Sequence, residues 1–438
     1  MTPSTEEFVI TGGRGFAFRL DSLMSAAAAL SASSDALSRA GSALYGVRRY
    51  VEAGACPGSS LAFQIDQESL RLEAATRRAV DECVRVAASV GQAAAAYEEE
   101  ESRRAAAADG LQNLLLGSNA VPALLRLLGL RGVGQGLDYA SESDGRTLAR
   151  TLRSWESDSI DGSPDDLLVA PRSQVPAGTG NAGTYSYALK TLRQAQGQVT
   201  LDDGSTVPPS SIVVERFARA DGSVAVMVAV PGTQTWDLDA ADGNVFDTEG
   251  ILDGMASRPS QVRGLIEQAL ADQNLSENDT VLFNCYSQGG IQVFGLLEDE
   301  AFRERYKVGA VTAVGSPASA FDLPADVPVL NLTNADDIVP AASGHPAEPS
   351  SGVVNVRSPS RVGWSAKSQF PNEVIAGAHD LGNYAKDARA LDGSENPAVL
   401  EHSAAVAGAL GSATAATAVR ERFVYTATDT RTSPGRKP

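Results

Sequence analysis

The strongest constraint on the fold is an apolar run that ends at a serine. The stretch VLFNCYSQGGIQVFG, residues 281–295, is strand-like as far as Ser287 and shows a helical pattern after Gly289 and Gly290. A tight turn from strand to helix needs small residues two before and two after its serine, because the backbone is pinched there. Gly289 meets the second requirement, and Cys285 meets the first as a packing residue. The stretch therefore predicts a strand that presents Ser287 as a nucleophile at its carboxyl end.

Strands and helices alternate around this stretch, between residues 210 and 425. SIVVERFA and SVAVMVAVPG flank the hairpin signal RADG, and the later strands are DTVLFNCYS, VGAVTAVGSP, VPVLNLT and GVVNVRS. The helical patterns are SRPSQVRGLIEQALADQNL, GGIQVFGLLEDEAFRERY, DLGNYAKDARAL and NPAVLEHSAAVAGAL. This alternation predicts an α/β domain with a mostly parallel, doubly wound sheet. Active sites of such sheets lie at the carboxyl ends of the strands.

The first 140 residues predict a separate all-α domain. Two stripes advance in steps of three and four, as the face of a helix does. Their members are Leu20, Leu23, Ala27, Leu30, Ser34, Leu37, Gly41 and Leu44, then Leu72, Thr76, Ala79, Cys83, Val86, Val90, Ala93 and Tyr97. Between them EAGACPGSSLAF contains helix-breaking Gly and Pro, so residues 1–140 are expected to form an antiparallel helical hairpin.

The remaining segments are polar. Residues 141–209 are rich in Gly, Ser, Asp and Pro, which predicts a linker with a short hairpin around QVTLDDGSTV. The catalytic α/β domain is expected to cover residues 210–425, and residues 426–438 to form a flexible tail.

Charge and cysteine content limit the partners. A formal net charge of -18 and an isoelectric point near 4.7 repel phosphate backbones, so nucleic acid is not an expected partner. Three cysteines cannot form a disulfide framework, and we expect free thiols, with a Cys56–Cys83 disulfide as the alternative. Cys83 lies on the second stripe, where it packs.

No segment predicts a signal peptide or a membrane span. The start MTPSTEEFVITGGRGF has neither a basic beginning nor an apolar core. The apolar stretch Leu111–Leu130 is interrupted by Gly117, Pro122 and Arg126, which favours a buried or interfacial helix over a transmembrane helix.

An acid and a base are expected at later strand ends. A serine nucleophile needs a histidine base, and a carboxylate that orients this histidine. VLNLTNADDIVP ends a strand with Asp336 and Asp337, and either carboxylate fits. Of the three histidines, His379 follows the last strand of the pattern and precedes a helix, where a loop-borne base belongs. His345 comes before that strand and is the alternative, whereas His402 lies within a late helix.

Backbone N–H groups must stabilise the oxyanion that such a nucleophile generates. One is expected from Gln288, the residue after the serine. The other is expected from Thr233 in VAVPGTQTW, where Gly232 permits close approach and the Thr233 hydroxyl is a further donor. The nearby DLDAADGNVFDTEG, residues 237–250, places its Gly one position too late for an EF-hand and predicts an acidic surface loop beside the site.

These motifs resemble those of a known enzyme class. VAVPGTQTWDLD is similar to the Arg-Gly-Thr region of class 3 lipases, with Pro231 in place of Arg, and CYSQGG resembles the serine turn of cutinases and PE-PPE hydrolase domains. TNADDIVP is similar to the acid-bearing Asp-x-Val-Pro of class 3 lipases, which selects Asp337 over Asp336. The resemblance implies an α/β-hydrolase fold and a serine hydrolase of small-molecule or lipid esters, with no metal or organic cofactor. The alternatives are an acyltransferase with the same triad and a catalytically silent hydrolase fold.

The N-terminal part resembles another group of proteins. A helical hairpin followed by Tyr-x-x-x-Asp/Glu is typical of WXG-type proteins exported by the type VII (ESX) pathway of actinobacteria and relatives, and Tyr97 and Glu101 in AAAAYEEEESRR fit that signal. The interhelical loop contains no Trp-x-Gly. The resemblance implies a secreted or cell-envelope protein, exported without a signal peptide, whose hairpin binds a partner hairpin or a second copy. The alternative is a cytoplasmic protein in which Tyr97 is a packing residue and Glu98–Glu101 a solvated charge run.

Overall fold

The apolar runs of the second half form the centre of a ten-stranded sheet. The computed structural model describes residues 8–12, 20–54, 60–116, 146, 149–150, 166–235, 242–335, 337, 339–340, 352–359, 379–411 and 420–430. Within these ranges the strands are β1 (Val9–Gly12), β2 (Leu167–Val169), β3 (Ser173–Val175), β4 (Ser211–Ala218), β5 (Val224–Val230), β6 (Thr280–Tyr286), β7 (Val308–Val314), β8 (Val329–Asn334), β9 (Val353–Ser358) and β10 (Arg420–Asp429).

Five neighbouring strands are parallel. The order across the sheet is β1-β9-β8-β7-β6-β5-β4-β10-β2, and β3 also pairs with β10. Strands β5 to β9 pair in parallel, whereas β1, β4, β10, β2 and β3 join antiparallel at the two sides. The predicted hairpin between β4 and β5 is present, with the Arg219 N–H donating to the Ser223 carbonyl at 3.0 Å.

Helices cover both faces of the sheet. The helices are α1 (Leu20–Gly54), α2 (Ser60–Leu116), α3 (Tyr185–Ala195), α4 (Thr248–Met255), α5 (Gln261–Asp272), α6 (Gln288–Glu298), α7 (Glu300–Arg305), α8 (Leu381–Leu391) and α9 (Pro397–Leu410). Side chains of α4 to α7 pack on one face, and those of α3, α8 and α9 pack on the other. The expected α/β domain with a mostly parallel, two-sided sheet is confirmed.

Two compact units divide the chain, one of residues 18–103 and the other of residues 1–17 and 104–438. Strand β1 belongs to the second unit and pairs with β9, although residues 1–140 were assigned to the helical domain. Pairing at a sheet side gives such a short apolar segment its backbone partners.

Residues 141–209, expected to form a polar linker, contain regular secondary structure where they are described. Within residues 166–209 this segment contains β2, β3 and α3, and Thr184 caps the start of α3, because its hydroxyl accepts the Tyr187 N–H at 3.2 Å. Leu189 and Leu192 on α3 are buried against the sheet. Around QVTLDDGSTV the described residues form a turn, in which the Leu201 N–H donates to the Ser205 carbonyl, and no strand.

The expected tail also differs, because β10 extends through residues 426–429. Alternate side chains of β10 pack into the hydrophobic cores on the two faces of the sheet, with Phe423 on one face and Val424 on the other. Between β4 and β10, the fully buried Arg422 donates from Nε to Glu215 at 2.7 Å. This pairing makes a charged residue acceptable inside the sheet.

Helices α1 and α2 supply the unit of residues 18–103. Among the described side chains, the first predicted stripe is the less exposed face of α1: Ser34 is buried, and Ala27, Leu30, Leu37, Gly41 and Leu44 are half-buried. On α2, residues 76, 79, 83, 86 and 90 are half-buried, but Leu72 is 51% exposed. Arg48 pairs with Asp66 at 2.7 Å, and Gly41 lies against Thr76.

Cys83 and Cys285 are free thiols, and Cys56 lies outside the described residues. In the described ranges, no helix combines the length and the apolar character that a bilayer crossing requires.

Candidate active site

Ser287 occupies a strained turn between β6 and α6. Its backbone has φ 51° and ψ -119°, a combination that residues other than glycine rarely adopt. Its N–H donates to the Val314 carbonyl at the end of β7, at 2.9 Å. A methyl group at Gly289 would lie 2.4 Å from the Val230 carbonyl oxygen, so only glycine fits there. The local structure thus agrees with the strand–turn–helix prediction and gives its steric reason.

Cys285 lies two residues before this serine and is fully buried in the core. Its Sγ lies 3.9 Å from the Thr312 carbonyl oxygen, and burial raises the pKa of the thiol far above its usual value. A thiol in this state stays protonated at neutral pH and is a poor nucleophile. The packing role expected for Cys285 agrees with these surroundings.

Asp337 and His379 are hydrogen-bonded to each other. His379 Nδ1 lies 2.7 Å from Asp337 Oδ2, and the Asp337 side chain is fully buried. The other carboxylate oxygen, Oδ1, accepts the Val339 N–H at 2.9 Å. This contact fixes the plane of the carboxylate, so Asp337 can hold the imidazole with its Nδ1 protonated and leave Nε2 as the basic atom.

Two tyrosines complete this arrangement, and neither was expected from the sequence. Tyr384, on α8, donates its hydroxyl to Asp337 Oδ2 at 2.5 Å, which is the same oxygen that contacts His379. The ring of Tyr286, the last residue of β6, stacks on the imidazole with centroids 4.8 Å apart, and its hydroxyl donates to the His379 carbonyl at 2.5 Å. Burial raises the pKa of both tyrosines well above the usual value, which keeps their hydroxyls protonated as donors.

Residues at the end of β7 contact both Ser287 and His379. Ser287 is hydrogen-bonded to Val314, and the next residue, Gly315, lies against the imidazole. A methyl group at Gly315 would lie 3.0 Å from His379 Cε1 and 3.1 Å from Asp337 Oδ2, so the absence of a side chain makes room for the pair. His379 Nε2 is buried and has no hydrogen-bond partner among the described residues, Ser287 included. A basic nitrogen in this state is available to a bound molecule.

Unused donors surround the same turn. In the loop after β5, the Gly232 N–H donates to Gln196 Oε1 and the N–H groups of Gln234 and Thr235 donate to the Phe246 carbonyl. The Thr233 N–H between them has no acceptor among the described residues. The Thr233 hydroxyl is also buried, and none of the described residues hydrogen-bonds to it.

Gln288 provides a second unused donor. It is the first residue of α6, where the helix itself supplies no acceptor for the N–H. Gly232 lies against Ser287: a methyl group added at Gly232 would lie 2.9 Å from Ser287 Cβ. The loop that carries Thr233 therefore adjoins the turn that carries Gln288. The side-chain amide of Gln288 is buried, and neither of its polar atoms has a partner within the part of the chain that the structure describes. Together these groups form a polar, water-poor environment in which an anionic oxygen can be bound.

Other predicted residues lie elsewhere. Asp336 and His345, the alternatives to Asp337 and His379, lie outside the described residues. His402 is fully buried on α9, where Nδ1 contacts the Tyr185 hydroxyl at 3.1 Å and Nε2 contacts the Val311 carbonyl at 3.0 Å. These contacts occupy both ring nitrogens, so His402 has a structural role.

The acidic segment after the Thr233 loop is at the surface in only part of its described range. Asp242 is exposed, whereas residues 244–250 are buried, and Asp247 caps α4 by accepting the Gly250 N–H at 2.8 Å. The second half departs from the expected surface loop because Val245 and Phe246 carry it into the core.

Tyr97 and Glu101 lie within α2, and their side chains are outside the described residues. Comparison with known proteins adds no assignment: no protein-family model, curated protein or solved structure matches the chain significantly.

Proposed function

We propose that this protein is a serine carboxylic-ester hydrolase with an α/β-hydrolase fold. The observation that carries the proposal is the state of His379: its Nδ1 is hydrogen-bonded to a buried carboxylate, and its Nε2 is buried beside the Ser287 turn, with no partner in the described ranges. A histidine in this state is suited to accept the proton of a neighbouring hydroxyl.

The reaction follows from these positions. Ser287 Oγ attacks the ester carbonyl while His379 Nε2 accepts the hydroxyl proton, and Asp337 stabilises the resulting imidazolium. The oxyanion accepts hydrogen bonds from the backbone N–H groups of Thr233 and Gln288. His379 then protonates the leaving alcohol, which departs and leaves an acyl group on Ser287. Water, deprotonated by His379, then attacks the acyl carbonyl; the bond to Ser287 Oγ breaks, His379 returns the proton to this oxygen, and the acid is released.

The test uses a covalent probe and a chromogenic substrate. We expect a fluorophosphonate to label Ser287, and purified protein to hydrolyse p-nitrophenyl esters. Ser287→Ala removes the attacking oxygen and should abolish labelling and lower kcat by at least about 10³-fold. The exposed Ser205 offers a matched control, since Ser205→Ala should leave both unchanged. Unchanged ester turnover in Ser287→Ala would contradict the proposal.

Hydrolysis and acyl transfer use the same residues, and product analysis separates them. With a p-nitrophenyl ester and a primary alcohol present together, a hydrolase releases mainly free acid, whereas a transferase releases mainly the new ester. A series of esters of increasing acyl length identifies the preferred chain. We expect hydrolysis, because water alone can accept the acyl group in the steps above.

The proposal extends to the helical unit, which we take as an antiparallel hairpin of the exported WXG type. The Arg48–Asp66 and Gly41–Thr76 contacts support the hairpin, because the sequence separation of contacting residues increases away from residues 55–59. Export is tested by the fraction of protein in the culture supernatant of a host with a type VII system. Tyr97→Ala should reduce this fraction, and equal secretion of both forms would refute the signal.

A partner-binding role is the second candidate, and a specific surface favours it. Tyr45, Tyr50 and Phe63 of the helical unit are 55%, 82% and 67% exposed. Large exposed aromatic side chains are typical of protein interfaces. Sedimentation of the full chain tests self-association, and Tyr50→Ser with Phe63→Ser should abolish any dimer. A silent hydrolase fold would show this association without fluorophosphonate labelling.

A further inference from the structure

Gln196 is held at the end of α3, directly beside the loop that carries Thr233. It caps the helix, with its own N–H bonded to the Leu192 carbonyl at 2.8 Å. Gly197 follows with φ +74°, a left-handed conformation that ends the helix and favours glycine. The helix terminus thereby fixes the backbone from which the Gln196 side chain extends.

The side-chain amide of Gln196 makes two hydrogen bonds to this loop. Oε1 accepts the Gly232 N–H at 2.8 Å, and Nε2 donates to the Thr233 carbonyl at 3.3 Å. These two backbone groups lie on either side of the peptide bond between Gly232 and Thr233. That peptide bond carries the Thr233 N–H, which has no acceptor among the described residues.

The other hydrogen bonds of the loop do not hold the peptide bond between Gly232 and Thr233, so only Gln196 among the described residues holds it. The Gln234 and Thr235 N–H groups bond to the Phe246 carbonyl and fix the chain beyond Thr233. Gly232 itself has no side chain to hold it, and in the described part of the chain its N–H has no acceptor apart from Gln196. Without the amide, the 232–233 peptide plane can rotate.

We propose that Gln196 is a positioning residue that holds the Thr233 N–H in the orientation required for the oxyanion hole. This inference rests on the proposed ester hydrolysis. The described hydrogen bonds of the Gln196 side chain go to this loop and not to Ser287, so Gln196 acts through the loop. Its amide is suited to the role because it provides one acceptor and one donor on the same rigid plane.

The kinetic signature of this role is specific. An oxyanion donor acts on charge that develops in the transition state, so a misplaced donor lowers kcat and leaves KM nearly unchanged. Removal of an entire donor costs about 10²- to 10³-fold in kcat in comparable sites. A donor that is present but loosely oriented should cost less, and we expect about 10- to 100-fold for Gln196→Ala.

The experiment compares Gln196→Ala and Gln196→Glu with wild type and with Gln268→Ala, an exposed glutamine on α5. Gln196→Glu keeps an acceptor for the Gly232 N–H but loses the donor to the Thr233 carbonyl. For each protein, kcat and KM are measured with a p-nitrophenyl ester, and Ki with an alkyl trifluoromethyl ketone, which forms a tetrahedral oxyanion adduct. Both Gln196 variants should lose kcat at constant KM, with Ki raised by the same factor, whereas Gln268→Ala matches wild type.

The possible outcomes separate the two proposals. Wild-type protein that neither hydrolyses ester nor reacts with a fluorophosphonate overturns the proposed function, and this inference with it. An active wild type whose Gln196→Ala variant keeps kcat within twofold overturns the inference alone, as does a rise in KM at constant kcat. If Gln196→Ala loses the cooperative melting transition, Gln196→Glu, which fills the same volume, decides the question. Loss of folding in both variants would also overturn a purely positioning role.

Discussion

The strained backbone of Ser287 makes a prediction that is independent of substrate. At φ 51° and ψ -119°, a residue with a side chain stores strain of about 1–3 kcal/mol. Ser287→Gly releases this strain, whereas Ser287→Ala removes the same hydroxyl and retains it. Glycine also makes the unfolded chain more flexible, which offsets roughly 0.4–1 kcal/mol. The glycine variant should therefore be more stable than the alanine variant by about 1 kcal/mol.

Calorimetry of the full chain measures this difference. For a unit of more than 200 residues, about 1 kcal/mol corresponds to a rise in Tm of roughly 2–4 °C in the transition of the sheet-containing unit. The control is Ala404→Gly, at an exposed position inside α9, where the same change should destabilise by about 1 kcal/mol. A Ser287→Gly variant that melts at or below the Ser287→Ala temperature would refute the argument from strain.

Further predictions concern buried charge and the site. Burial lowers the pKa of His402 to about 4 from 6.5, so the folded state binds fewer protons than the unfolded state, and stability present above pH 6.5 is lost as the pH falls to 4. Wild type should lose roughly 3 kcal/mol more than His402→Gln between pH 7 and pH 4 in urea unfolding, and parallel profiles would contradict this. Asp337→Asn should lower kcat by about 10⁴-fold in ester assays, because the imidazole loses its fixed tautomer, and normal turnover would exclude the assigned role. Tyr384→Phe should destabilise by about 1.5–3 kcal/mol on denaturation through loss of a charged hydrogen bond, against an expectation of no change if the contact is incidental. Glu215→Gln should cost about 3–5 kcal/mol by leaving Arg422 buried without its partner, and a variant as stable as wild type would disprove this.

The parallel core of the fold was predictable because its signal is local. Runs such as those of β6 and β7 are mostly apolar, as is typical of strands covered on both faces, and helical patterns separate them. The sequence did not predict helix α3, because the Gly- and Thr-rich residues 178–186 before and within its start obscure an apolar face of only three turns. Strand β10 was missed because Arg422 interrupts its apolar alternation, and its partner Glu215 lies 207 residues away.

In the candidate site, too, residues with a local sequence signal were predictable, whereas residues that act through distant contacts were not. The order of Ser287, Asp337 and His379 along the strands was enough to predict that the last two would meet at one sheet edge, and their hydrogen bond agrees with that. Gln196 and Tyr384 could not be found in this way. Neither belongs to a motif, and each acts through a contact with a distant loop whose position only the folded chain defines.

The position of β10 has a consequence for biogenesis. It is the last in chain order of the ten strands that the structure describes, yet it lies between β4 and β2 in the sheet. While the ribosome synthesises the 207 residues from Glu215 to Arg422, an interval on the order of 10–40 s, the outer side of β4 has no partner strand and the Glu215 carboxylate no guanidinium. The nascent chain therefore cannot complete its sheet co-translationally until residues 420–429 emerge, and until then this open edge is a substrate for chaperones or for aggregation.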